Sequence, residues 1–237
     1  MSVSVELTTY ALADKKRFGV NSDGGYVVAM LPNARYDAYI SAGVSNEESF
    51  SRDFISFYGM TKSNCFAFDG TIHSYPEQYT KEITFIRKNI GAISNDHETN
   101  LSDLTSTYSN IFLKMDIEGG EFVWLKSVSS DTLSKFSQIV IEFHGINDNN
   151  WGTSYPDKVA CMKKLTETHY AVHCHGNNFA STTNGIPDVI EITYVRKDLF
   201  PCPPALNSVK LPIPNLDFPN NVTRKDIDLG CKPFCNL

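Results

Sequence analysis

The sequence has no run approaching the roughly 20 consecutive apolar residues that span a bilayer. Its opening, MSVSVELTTYALADKK, has neither the basic start nor the apolar core of a secretory signal. A dense basic cluster is missing too. Asp14-Lys15-Lys16-Arg17 is the richest, and 27 Asp and Glu against 21 Lys and Arg leave a formal net charge of -6. Tracking a phosphate backbone takes a basic stripe, so nucleic acid is excluded as a main partner. No second cysteine pair at zinc-ligand spacing accompanies Cys231 and Cys235, and no structural zinc site is expected. The six cysteines (Cys65, Cys161, Cys174, Cys202, Cys231 and Cys235) are scattered over a chain large enough to fold without staples. That usage points to reduced thiols in an intracellular compartment. The sequence carries no internal repeat. The expectation is a soluble, cytoplasmic protein with no membrane span.

What is present is enough apolar residue, 41% of 237, for one full-sized core but hardly two. The expected organisation is a domain over residues 1–199 and an extension over residues 200–237 that packs on it. Seven of the eleven prolines fall in that extension, which excludes a helix or a central strand and predicts an extended surface path. Within the domain, YDAYISAG (36–43), NCFAFDG (64–70), NIFLKMDIEG (110–119) and QIVIEFHG (138–145) are short apolar runs that finish in glycine. They read as parallel strands buried on both faces. Between them NEESFSRDFISFYG and EFVWLKSV have helical spacing, and SYPDKVACMKKLTETH follows as a longer helix starting near Ser154 or Tyr155, before Pro156. YAVHCHG (170–176) and DVIEITYVRK (188–197) read as a final strand pair, and the single loop that joins them allows an antiparallel sense. GYVVAML (25–31) is an edge hairpin or an added strand. The alternation predicts an α/β, doubly wound, mostly parallel sheet.

In such a sheet ligands collect at the carboxyl ends of the strands. The first central strand ends Ser41-Ala42-Gly43-Val44-Ser45, small residues that let a ligand approach the backbone, although a glycine after a strand is also ordinary turn chemistry. The second ends at Asp69, placed where nucleoside-binding folds set a carboxylate on ribose hydroxyls; a turn cap is the plainer account. The run ending at FLKMDIEGGEFVWL carries Asp116, Glu118 and Glu121. The plainest account puts Glu121 at the positive end of the helix it begins and has Asp116 cap the turn, which covers Glu121 well and Asp116 and Glu118 less well. On the next strand Glu142 and His144 share parity. Two carboxylates and an imidazole from neighbouring strand ends suit either a divalent cation or acid-base chemistry. His173 and His175 share one face of a later strand, and Asp23-Gly24-Gly25-Tyr26 reads as a hairpin turn. Tyr26, Trp151 and Tyr155 are aromatic candidates for an acceptor groove, with core packing the commoner use.

The stretch Phe112-Leu113-Lys114-Met115-Asp116-Ile117-Glu118-Gly119-Gly120-Glu121 resembles the K-x-D-x-E-G-x-E signature of FkbM-type S-adenosylmethionine-dependent methyltransferases. Asp23-Gly24-Gly25-Tyr26, Ile141-Glu142-Phe143-His144 and His173-Cys174-His175-Gly176-Asn177-Asn178 resemble a branch associated with glycan O-methylation. The resemblance spans about residues 17–199. It implies a Rossmann-like class I methyltransferase with a seven-stranded, mostly parallel sheet whose last strand is antiparallel. It further implies that Ser41, Gly43 and Ser45 hold the methionine end of S-adenosyl-L-methionine and Asp69 its ribose. Ala92 and Ile93, in the segment 89–93, would line the adenine pocket, with Asp116 near the sulfonium. The acceptor would be a sugar hydroxyl of a glycan. Its proton leaves either to His144 as base or with help from Mg2+ or Mn2+ held by Asp116, Glu142 and His144. The alternatives are a metal-dependent glycosyltransferase using a nucleotide sugar, and a binding module that keeps the fold without the reaction.

Overall fold

The computed structural model describes residues 3–147 and 151–236. Its elements in chain order are α1 (Val3–Glu6), β1 (Lys15–Phe18), β2 (Tyr26–Ala29), β3 (Ala38–Ala42), α2 (Ser49–Tyr58), β4 (Cys65–Phe68) and β5 (Thr84–Ile86). They continue with β6 (Asn89–Ile90), β7 (Glu98–Thr99), α3 (Ser102–Thr107), β8 (Ile111–Met115), α4 (Glu121–Ser127), α5 (Ser130–Leu133) and β9 (Phe136–His144). The remainder are α6 (Tyr155–Thr168), β10 (His169–Gly176), β11 (Thr182–Thr183), β12 (Ile186–Pro187) and β13 (Val189–Arg196).

Seven of these strands form one sheet in the order β10-β13-β9-β8-β3-β4-β5. The pairs β9/β8, β8/β3, β3/β4 and β4/β5 are parallel, and β13 runs against both of its neighbours. This is the doubly wound α/β sheet with an antiparallel last strand that the sequence predicts. Strand alternation explains its two cores. Tyr39 and Phe112 point to one face, where they meet Phe18, Tyr36, Phe50 and Phe54. Ile40 and Leu113 point to the other, against Phe122, Trp124, Phe143 and Leu165.

Helix ends follow local chemistry. Gly59 stops α2 in the left-handed conformation, φ 62°, and its N–H donates to the carbonyls of Ile55 and Ser56. Ser154 is the N-cap of α6, accepting from the Asp157 N–H, with Pro156 in the first turn.

The GYVVAML run resolves into a hairpin: β2 pairs with β1 as a separate ribbon. Buried Gln138 of β9 holds it down, accepting from the Ala29 N–H and donating to the Ala29 carbonyl. Edge strand β5 is the element the sequence hides. Only three residues long and half-buried throughout, it has no alternation to read. Leu211, Leu229 and Phe234, from the proline-rich end of the chain, are buried in the main core. All six cysteines are free. No helix among the described residues is long and apolar enough to cross a membrane.

Candidate functional site

Strands β3, β4 and β8 lie side by side and parallel, so their carboxyl ends open on one edge. There a cleft of about 380 Å³ is lined by Gly43, Val44, Ser45, Asn46 and Glu47 after β3, and by Phe68, Asp69 and Thr71 at the end of β4. Asn89 and Ile90 form another wall, and Lys114, Asp116, Ile117 and Glu118 close the β8 side, with Asp23 and Gly24 at the rim.

Gly43 is the residue on which this closeness depends. Its φ is +81°, and a Cβ there would sit 1.6 Å from the Asp116 carbonyl oxygen. The loops after β3 and β8 are then stitched together: the Asp116 N–H donates to the Ala42 carbonyl at 2.9 Å, and Lys114 Nζ to the Gly43 carbonyl at 2.7 Å.

Asp69 anchors the cleft wall. One oxygen accepts from the Val44 and Ser45 N–H groups at 3.0 and 2.9 Å, and the other from the N–H and hydroxyl of Thr71 at 2.7 and 2.6 Å. Burial pushes this carboxyl up, but those hydrogen bonds outweigh it and hold Asp69 below its ordinary value. Gly43, Ser45, Asp69 and Asp116 of the sequence-expected cofactor residues therefore line the cleft. Ser41 sits underneath, buried, its hydroxyl donating to Glu48 Oε1 at 2.8 Å. Ala92 and Ile93 lie beyond the lining residues, the first tied through its N–H to Glu98 and the second exposed. The sequence alone does not single out Glu47 or Thr71, and it marks Lys114 only as a member of the stretch ending at Glu121, without a role. Lys114 has a signal in hindsight: a lysine inside an otherwise apolar central strand needs a partner where the strand ends.

Beyond the cleft the β8 and β9 ends build an acidic nest around one imidazole. His144 Nε2 lies 3.4 Å from Glu118 Oε2, 4.0 Å from Asp116 Oδ1 and 4.0 Å from Glu142 Oε1. Its Nδ1 is 3.1 Å from Glu121 Oε1. Glu121, fully buried, also accepts from the N–H groups of Ile117 and Gly119, and its second oxygen has no hydrogen-bond partner among the described residues. It thus does more than favour the start of α4: it shapes the Gly-Gly turn and orients the imidazole.

Buried Tyr26 donates from its hydroxyl toward Asp116 at 2.9 Å and Glu142 at 3.1 Å. Asn177 Nδ2 donates to the other Glu142 oxygen at 2.7 Å. Burial, with the charges of Asp116 and Glu191 nearby, lifts the Glu142 carboxyl well above its ordinary range. Partial desolvation on its nest-facing side and the neighbouring Asp116 and Glu121 charges also lift Glu118, although most of its side chain is exposed. For His144, burial works downward, but the Glu121 hydrogen bond and the surrounding carboxylates prevail and raise it to about 9. Without another cation the nest holds a proton.

Asp116, Glu118 and His144 bring one ligand atom each within 4.8 Å of one another. Glu118 joins this trio where the sequence suggested Glu142; Glu142 is instead engaged by Asn177 and shares the single Tyr26 hydroxyl proton with Asp116. Trp151 stands over the nest, its ring 5.8 Å from that of His144. Of the other aromatic candidates, Tyr26 is buried within the nest and Tyr155 packs against the core at the start of α6.

His173 and His175 belong elsewhere. His173 Nε2 meets Asp217 at 2.8 Å, and His175 is held between Glu191 at 3.3 Å and Asp226 at 3.0 Å. Both sit beneath residues 217–226, where the Asn178 side chain donates to the Asn221 carbonyl and accepts from its N–H.

Residues 8–180 match the family model described as the methyltransferase FkbM domain. A solved structure titled as a TehB-like SAM-dependent methyltransferase from Corynebacterium glutamicum is similar at 11% identity and a TM-score of 0.41. That likeness covers 69% of this chain and 83% of that one. No curated protein matches the chain.

Proposed function

Because the chain belongs to the FkbM methyltransferase family, whose methyl donor is S-adenosylmethionine, we propose that it methylates a sugar hydroxyl of a glycan. The observation that carries this reading is the junction at Asp116, which lines the cleft with one side and the nest with the other. A donor seated in the cleft presents its reactive end to a group able to orient an acceptor hydroxyl.

The bound donor supplies a methyl on a positively charged sulfur, and what the protein must add is alignment. Gly43 and Ser45 shape the donor's seat at the β3 end, Asp69 fixes that loop through the Val44 and Ser45 N–H groups, and Asn89 and Ile90 enclose the donor's far part. Asp116 accepts the hydrogen bond of the incoming hydroxyl and aims its oxygen at the cleft. The nest fits a divalent cation, because two carboxylates and an imidazole Nε2 that lies 3.4 Å from Glu118 Oε2 and 4.0 Å from Asp116 Oδ1 are a donor set within one ion's reach. Asp116, Glu118 and His144 would hold Mg2+ or Mn2+, whose charge makes a coordinated hydroxyl more acidic. The hydroxyl proton leaves to solvent past exposed Glu118.

A nucleotide-sugar reading is less well supported. Among the lining residues Lys114 is the sole cationic side chain, and its Nζ is engaged by the Gly43 carbonyl, so a diphosphate would face mainly carboxylates. The test is calorimetry with S-adenosylmethionine and with nucleotide sugars, followed by methyl transfer to a panel of glycans. Binding of the methyl donor and methylation of a sugar hydroxyl are expected. Failure to bind it overturns the proposal.

A further inference from the structure

We propose that Trp151 is the stacking platform of the acceptor subsite and that it selects a neutral sugar with a C–H face free to lie on the indole. This rests on the sugar-methylating reading above and adds to it a substrate class and a residue that enforces it.

The indole occupies a prepared place. Gly119 and Gly145 flank it, one from the turn after β8 and one just after β9, with φ values of +95° and +67°. A Cβ on Gly119 would lie 2.2 Å from Trp151 Cε3, and one on Gly145 would lie 2.3 Å from Cδ1. Two turns have thus given up side chains where the ring sits. Trp151 is itself in the left-handed region, φ 61°, which a bulky residue adopts only when its surroundings hold it there. Yet the side chain is not core: the residue keeps 49% of its surface exposed. A large aromatic ring braced from below and open above, beside His144 and Glu118, offers a flat apolar face next to the acidic nest.

Charge decides the kind of sugar. Asp116 and Glu118 stand where the donor's cleft meets the nest, Asp23 lies at the rim, and Lys114, the one cationic side chain in that wall, is committed to the Gly43 carbonyl. No arginine among the lining residues offers the fork that would bind a carboxylate or phosphate on the acceptor. Hydroxyls, which donate to carboxylates, suit this wall, and acidic groups do not.

The experiment compares wild-type protein with Trp151→Ala and Trp151→Phe on neutral oligosaccharides and on matched uronic-acid oligosaccharides. The expected result is methylation of neutral acceptors over uronic ones. Trp151→Ala should raise the acceptor KM about tenfold or more, with kcat changed less than about threefold. Trp151→Phe should recover most of the loss, and the Kd for S-adenosylmethionine should stay the same in all three proteins. Methylation of neutral sugars with an unchanged KM in Trp151→Ala, or a preference for uronic acceptors, overturns this inference alone. Binding of S-adenosylmethionine with no sugar of either kind methylated overturns the sugar reading as well.

Discussion

Two imidazoles in this protein are built from the same parts to opposite ends. His144 and His175 both stand near strand ends of the sheet, each among carboxylates from neighbouring segments. Around His175 both nitrogens have acids at about hydrogen-bonding distance, Glu191 on one side and both Asp226 oxygens on the other. Residues 217–226 then cover it, and Asn220 ties Glu191 to Asp23. Around His144 one nitrogen is fixed by Glu121, while the other faces carboxylates at 3.4 to 4.0 Å, too long for good hydrogen bonds. Glu118 in that group keeps 77% of its side chain exposed. A histidine with every donor satisfied contributes to the fold. One with acids gathered at reach, but not in contact, has capacity left for a ligand.

The largest effect expected from breaking this contrast is at Asp116, where cleft and nest meet. Asp116→Asn preserves shape and removes charge, and should lower kcat about 1000-fold while leaving the Kd for S-adenosylmethionine within about threefold. Single-turnover kinetics and calorimetry check the two parts. An Asp226→Asn change in the closed cluster should leave kcat within about twofold.

Chelation tests whether the open nest takes a cation. With EDTA, activity should fall about 100-fold and return with Mg2+ or Mn2+. Because the carboxylates raise His144 to about 9, the metal must displace its proton, and apparent affinity should rise about tenfold for each pH unit gained until pH reaches that value. Activity indifferent to EDTA and climbing with pH toward 9 would identify His144 as a base instead.

Glu121→Gln sharpens the same contrast with a smaller effect. The amide oxygen can still accept from the Ile117 and Gly119 N–H groups, but it no longer supplies a negative charge to His144 Nδ1. Loss of such a supporting contact should weaken metal affinity about 10- to 100-fold. Donor binding should be unaffected, and metal titration by calorimetry reads the difference.

These residues also show what the sequence discloses. The sheet was legible because β3, β4, β8 and β9 are short, continuous apolar runs ended by glycine or acid, the pattern of strands buried on both faces. Asp116, Glu142 and His144 were legible as strand-end residues, since parity puts side chains on a shared face. The division of labour among the acids was not. Glu118 and Glu142 differ in whether a hydroxyl from β2 and an amide from the loop after β10 already occupy them, and those partners are 116 and 35 residues away from Glu142. Glu121 reads as a helix-start residue because its spacing fits that role, and the turn N–H groups and the imidazole it also serves appear only when β8 and β9 lie side by side. Ala92 and Ile93 lie outside the cleft lining, and a short irregular segment has no period, so nothing in the sequence tells which of residues 89–93 face inward.

The smallest effect belongs to the closed cluster and is one of stability. Burial pushes His175 down, but Glu191 and Asp226 outweigh it and raise the imidazole to about 10, above the ordinary value of 6.5. The folded state therefore binds a proton that the unfolded chain releases between those values, and stability falls with rising pH across that window. The contribution is complete below about pH 6.5 and lost as pH passes about 10. His169 gives the opposite slope at lower pH. Burial lowers it to about 4, so its contribution is present above 6.5 and disappears as pH falls through 4. Thermal melts of the wild type and of His175→Asn from pH 6 to 10 separate the two, because only the wild type should lose the His175 increment on the alkaline side. A shift of a few degrees in Tm is expected, with methyl transfer at neutral pH unaltered. If His175→Asn instead abolished transfer in a protein that still melts cooperatively and binds S-adenosylmethionine, the closed cluster would be part of the reacting site, and the division between the two histidines would fail.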